Sequence, residues 1–152
     1  MERLYKATPA GLQYWECWEA EAGQFTLHWG DVGDRGQATA VSAAEKTRLM
    51  AERVAAGFAP PSEDDWTVLS VEYGLAGRFA SSEELDLRHD LEDRLGETLG
   101  WTGLGFCDGG SSGMGTMEVC LFVIDAAVAE RVIRDDLAGT RFAGYSRIFA
   151  EQ

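Results

Sequence analysis

Phe25-Thr26-Leu27-His28-Trp29-Gly30-Asp31-Val32-Gly33-Asp34-Arg35-Gly36-Gln37 decides how the first half of the chain is read. Phe25, Leu27 and Trp29 alternate with Thr26 and His28, the period-two pattern of a strand with one apolar face. Trp29-Gly30 ends that run. Gly33 and Gly36 then permit a sharp reversal, since glycine reaches positive φ without a steric penalty. Upstream, Leu4–Thr8 and the aromatic run Leu12–Glu19 read as two further strands around the turn signal Pro9-Ala10-Gly11. Downstream, Gln37–Val41 reads as a fourth. Ser42 with Glu45 makes a capping box. The helix it opens is expected to reach Phe58, with Met50, Val54 and Phe58 on one stripe and Gly57 as the stop. The first unit is therefore a small antiparallel sheet with one helix.

Ala59-Pro60-Pro61-Ser62-Glu63-Asp64-Asp65 cannot continue a helix and reads as a linker over 60–65, dividing units at 1–59 and 66–152. The second unit reads β-α-β-β-α-β. Trp66–Tyr73 is its first strand. Ser81 and Glu84 cap a helix that carries Leu87, Leu91 and Leu95 and ends at Gly100. Gly103–Cys107 is a short strand, and Asp108–Gly115 a flexible glycine-rich link. Met117–Ile124 is a central strand, Asp125 caps a helix with Val128, Val132, Ile133 and Leu137, and Arg141–Phe149 closes the unit. That order is the ferredoxin-like arrangement, and the fold class is α+β.

The chain of 152 residues carries a net charge of −13. Residues 1–60 hold six Lys/Arg and eight Asp/Glu; residues 61–152 hold seven Arg, no Lys and eighteen Asp/Glu, a balance of −11. Such a field repels nucleic-acid phosphates, so DNA is admitted only through a local basic patch, and a basic protein partner fits the second half better. No run of apolar residues reaches membrane-spanning length and the N-terminus lacks a signal-peptide core, so no membrane role is expected. Cys17, Cys107 and Cys120 are odd in number and scattered, reading as small core residues of a cytoplasmic protein rather than as a disulfide framework.

Catalytic and metal-binding patterns are not found. His28, Asp31 and Asp34 are spaced like ligands, but His28 reads as a solvated strand residue and no second cluster supports a site. His89, beside Arg88 and Asp90, reads as a solvated helix residue. Asp108, Gly109, Gly110 and Gly113 invite a phosphate-loop reading, yet no Gly-Lys-Ser/Thr follows and a strand rather than a helix comes next. They stand as a candidate ligand or partner loop. Neither a Ser nor a Cys has a base in sequence range, so no enzyme, catalytic residue, metal or cofactor is expected.

The aromatic strands, the Trp29-Gly30 pair, the Gly33-x-x-Gly36-Gln37 turn and the helix ending at Gly57-Phe58 together resemble a WGR domain, over Leu4 to Phe58. This is a small binding module found in poly(ADP-ribose) polymerases, where it contacts DNA ends, and in many small bacterial proteins. The resemblance implies that Trp29 stacks on a partner group and that Gly30 permits close backbone approach. Arginine is usual at the next position, where this chain has Asp31, which repels phosphate. Arg35, four positions on, is the substitute cation, and Gln37 completes the binding set. Trp29 also continues the Phe25/Leu27 face and has an equal claim to plug the core. The second unit resembles ferredoxin-like domains of small bacterial proteins of unassigned role. The expected function is a non-enzymatic binding protein. The alternatives are an acidic, immunity-type protein that masks a basic partner, and a small-ligand sensor using the 108–115 loop.

Overall fold

A computed structural model describes residues 1–151. The chain forms two compact units, residues 1–63 with 101–103, and residues 64–100 with 104 onward.

In the first unit β1 (Glu2–Thr8), β2 (Gly11–Glu21), β3 (Gln24–Asp31) and β4 (Gln37–Ser42) form an antiparallel meander in chain order. The register sets Leu4 opposite Trp15, Cys17 opposite Leu27 and Phe25 opposite Val41. One sheet face is thus apolar. Leu4, Trp15, Cys17, Leu27 and Phe58 form its buried core, with Trp29, Val41, Leu49 and Met50 packed against it. The helix α1 (Ala43–Ala55) is capped by the Ser42 hydroxyl, which accepts from the Glu45 amide at 3.2 Å. It is shorter than its sequence suggests. The chain leaves the helix at Ala56, and Gly57 has a φ of 105°. Phe58 therefore reaches the core from outside the helix, tied through the bridge between Tyr5 and Ala59, while Val54 is left 51% exposed.

In the second unit β5 (Thr67–Gly74), β6 (Gly105–Gly113), β7 (Thr116–Val123) and β8 (Arg147–Ala150) form an antiparallel sheet in the order β6-β7-β5-β8. The helices are α2 (Ser82–Trp101), between β5 and β6, and α3 (Ala126–Leu137), between β7 and β8. Alternation is strict along β7, where Met117, Val119, Leu121 and Val123 are buried and the residues between them are not. Leu91, Leu95 and Leu99 of α2 and Ala129, Ile133 and Leu137 of α3 complete the core. Arg94 clasps Asp136 through both carboxylate oxygens at 3.1 and 3.2 Å, joining the two helices. Leu95 is fully buried, so Leu95→Ala is expected to cost about 2–5 kcal/mol, read as a fall in the denaturation midpoint without a change in slope.

Three features of this unit depart from the pattern read in the sequence. Leu87 is only half-buried, so the buried stripe of α2 is Leu91, Leu95 and Leu99. The helix also continues through Gly100. It ends where Gly103 takes a φ of 65° and the Leu104 amide bonds back to the Leu99 carbonyl at 3.0 Å, a Schellman closure. Lastly, Asp108–Gly113 is not a flexible link. It belongs to β6, where Ser111 pairs with Glu118 and Gly113 with Thr116, beyond a bulge between Cys107 and Gly110. The true connection is the two-residue turn Met114-Gly115, both with positive φ. Ladder pairing with β7 holds this glycine-rich run extended, whatever its intrinsic freedom.

Candidate functional site

The other face of the first sheet is built differently. Alternation along β2 and β3 places Tyr14, Glu16 and His28 there, and register sets Glu16 opposite His28. All three are buried, with Glu16 and His28 each 1% exposed. His28 is thus not the solvated residue its sequence position suggests; the aromatic rings of Tyr14, Trp18 and Trp101 enclose it, with centroids 4.9, 6.2 and 5.1 Å away. Trp101–Gly103 belong to this unit. The Tyr5 hydroxyl donates to the Gly103 carbonyl at 2.6 Å, and the Gly33 amide donates to the Thr102 carbonyl at 2.9 Å.

Acceptor chemistry orients the His28 ring. The Nδ1 of His28 lies 2.7 Å from a Glu16 carboxylate oxygen, and its Nε2 lies 2.5 Å from the Arg35 carbonyl. A carbonyl only accepts, so Nε2 carries a proton. Glu16 also accepts from the Nε of Arg3 at 3.3 Å, so one carboxyl group ties Arg3 and the Nδ1 side of His28 together. The arrangement is Arg3, Glu16 and His28 in a row beneath the turn. Burial pushes the Tyr14 phenol above its ordinary pKa, with Glu16 adding to the shift. Tyr14 therefore stays a neutral donor, and its hydroxyl bonds the Asp34 carbonyl at 2.7 Å.

These side chains grip the 31–36 turn from below. The Val32 amide bonds the Leu12 carbonyl and the Asp34 amide the Asp31 carbonyl, both at 2.9 Å. Gly36 has a φ of 65°, and a Cβ placed there would lie 2.1 Å from the Trp29 carbonyl oxygen. The turn is therefore a rigid element despite its two glycines. With both nitrogens spent on protein partners, His28 has none left for proton transfer to a ligand.

The residues singled out in the sequence fall into two places. Arg35 and Gln37 line an open cavity of about 240 Å³ with His28, Gly36, Ala38 and Trp101. Arg35 is exposed, its guanidinium lies 6.0 Å from the Trp101 ring centroid, and it makes no ion pair among the described residues. Trp29 and Gly30 line a separate cavity of about 280 Å³ with Gln13, Tyr14, Asp31, Arg53 and Phe58. Trp29 is half-buried against the core cluster. Asp108, Gly109, Gly110 and Gly113 lie along β6 and line neither cavity.

Tyr14, Glu16 and Trp101 are missing from the set read in the sequence. Strand parity places Tyr14 and Glu16 on the non-apolar face, but only the register reveals that Glu16 meets His28. Nothing in the sequence around Trp101 signals that it closes over a strand some seventy residues earlier. Among the described residues no group of three or more His, Cys, Asp or Glu is arranged to hold a metal ion, and no helix is long and apolar enough to cross a membrane. The three cysteines are free; Cys17 is buried, while Cys107 and Cys120 are half-exposed. Comparison with protein-family models, with curated proteins and with solved structures finds no match for the chain.

Proposed function

We propose that this is a non-enzymatic binding protein, composed of a WGR-like module and a ferredoxin-like unit, whose first unit grips a protein partner at the 31–37 turn. The observation that carries the reading is Arg35, an exposed guanidinium that makes no ion pair among the described residues and lies beside Trp101 on a turn locked in place from beneath. An exposed cation next to an aromatic ring on a rigid scaffold is the composition of an interaction hot spot. The four-stranded meander followed by one helix supports the WGR-like reading of the first unit. The order β6-β7-β5-β8, with a helix after the first and third strands, supports the ferredoxin-like reading of the second.

A protein partner is favoured over nucleic acid by charge. Asp31 and Asp34 precede Arg35 in the same turn, and the chain carries −13, so a polyanion meets repulsion that one arginine does not offset. Arg35→Ala and Gln37→Ala are expected to leave the fold intact and to abolish capture of a protein partner from cells of the organism that encodes the chain. In a low-salt gel shift, nicked and blunt duplex DNA are expected to run unretarded. Retardation that disappears with added salt and with Arg35→Ala would replace the protein partner by nucleic acid.

A further inference from the structure

The second sheet carries a surface whose chemistry the folding of the unit does not explain. On the face opposite the core, β5 presents Val68, Ser70 and Glu72, β7 presents Glu118, Cys120 and Phe122, and β8 presents Arg147 and Phe149. Phe106 of β6 stands opposite Phe122 and stacks on it with ring centroids 5.3 Å apart. Trp66 meets Phe106 edge-on at 5.4 Å, and Phe106 is 39% exposed. One end of this face is therefore a partly exposed aromatic cluster.

The middle of the face is acidic. Glu118 is set directly opposite Glu72 in the register, a like-charge pair that weakens a sheet. Glu72 is relieved by Arg147, which donates to both of its oxygens at 3.1 and 3.2 Å and holds its carboxyl below the usual range. Glu118 has less relief: among the described residues the Ser111 hydroxyl donates to it at 3.4 Å, and Arg147 acts on it only through its field. Asp108 and Glu151 add to the negative field. Burial first, and then Glu118, Glu151 and Asp108, raise the pKa of the half-exposed Cys120 thiol at its centre. The same face also shows how it receives a cation. The Arg147 guanidinium sits 3.8 Å over the Phe149 ring while it pairs with Glu72. Phe122 and Glu118 lie on the same face of β7 with Cys120 between them, so a ring and a carboxylate are offered along one strand.

We infer that the outer, half-exposed face of this sheet docks a basic, arginine-rich segment of a protein partner, whose guanidinium groups stack on Phe106 and Phe122 and pair with Glu118 and Asp108. The surplus of eighteen carboxylates over seven arginines in residues 61–152 steers such a segment in. Aromatic faces strengthen each pairing through cation–π attraction. None of the residues of the 31–37 turn takes part.

Octa-arginine binding to the full chain, followed by fluorescence anisotropy, tests the inference. Wild type is expected to bind at low ionic strength. Asp108→Asn with Glu118→Gln is expected to weaken binding roughly tenfold, and Phe106→Ser by a similar factor. Glu83→Gln with Asp86→Asn removes the same charge from exposed positions on α2 and is expected to change affinity less than about twofold. Arg35→Ala leaves it unchanged, which separates this surface from the one in the first unit. The inference is overturned if wild type does not bind. It is equally overturned if the α2 pair weakens binding as much as the sheet pair, because net charge alone then explains it. Oligothymidine binding that is lost in Phe106→Ser would make the face a nucleic-acid surface instead. The two isosteric charge variants keep the test decisive should Phe106→Ser unfold.

Discussion

Glu16→Leu is expected to destabilise the first unit by about 3–5 kcal/mol, the largest effect of any single exchange on its polar face. Glu16 is 1% exposed and lies between the Arg3 guanidinium and the His28 imidazole. Removing its carboxyl leaves the buried Nδ1 of His28 without a hydrogen-bond partner, and the ring then stays unsatisfied or opens its aromatic enclosure. The cost is chiefly that of the group left behind. Glu16→Leu combined with His28→Leu is accordingly expected to recover much of the lost stability, since an apolar pair of similar volume often replaces a buried ion pair at little cost. Denaturant titration followed by tryptophan fluorescence reads both variants. A single-variant loss below about 1 kcal/mol, the range of exposed pairs, would contradict a coupled Arg3–Glu16–His28 network beneath the turn.

Gly36→Ala is the second. Its φ of 65° lies in the left-handed region, and its new methyl would approach the Trp29 carbonyl oxygen to 2.1 Å and the Tyr14 hydroxyl to 2.6 Å. The backbone conformation costs about 1–2 kcal/mol for a residue with a side chain, and the overlap adds about 1–3 kcal/mol. Gly23→Ala supplies the control: its φ is 79°, but nothing lies within 4 Å of the added carbon. It is expected to show only the conformational part. Since the Arg35 carbonyl is held by His28, a displaced Gly36 also moves Arg35, so partner capture should fall along with stability. Equal destabilisation by the two alanines would show that the turn is not sterically locked.

The sequence foretold the strands well where one face of a sheet is apolar and the other is not. Phe25, Leu27 and Trp29 against Thr26 and His28 read correctly because side-chain period is local. The capping boxes at Ser42 and Ser81 were legible for the same reason; each is closed by hydrogen bonds three residues apart. Pairing is not local. The glycines of 108–113 carry no side-chain pattern, so nothing in them announces that β7 would hold them in a ladder. Leu87 lost its place in the core, and Val54 its place in the stripe of α1, because the elements end and pack where tertiary contacts decide. His28 misled for a related reason. A polar residue on a non-apolar strand face is usually solvated, but here Trp101 and the opposing Glu16 seal it. The site was legible in the turn and hidden in what supports the turn.

The central claim is that Arg35, on a preformed turn, is the grip of a protein-binding module. Quantitative capture from cell extract with wild type and with Arg35→Ala as baits, both shown to share one denaturation midpoint, tests it most directly. A protein partner recovered with wild type and lost with Arg35→Ala is the expected result. The same partners recovered in equal amount with both baits would contradict it.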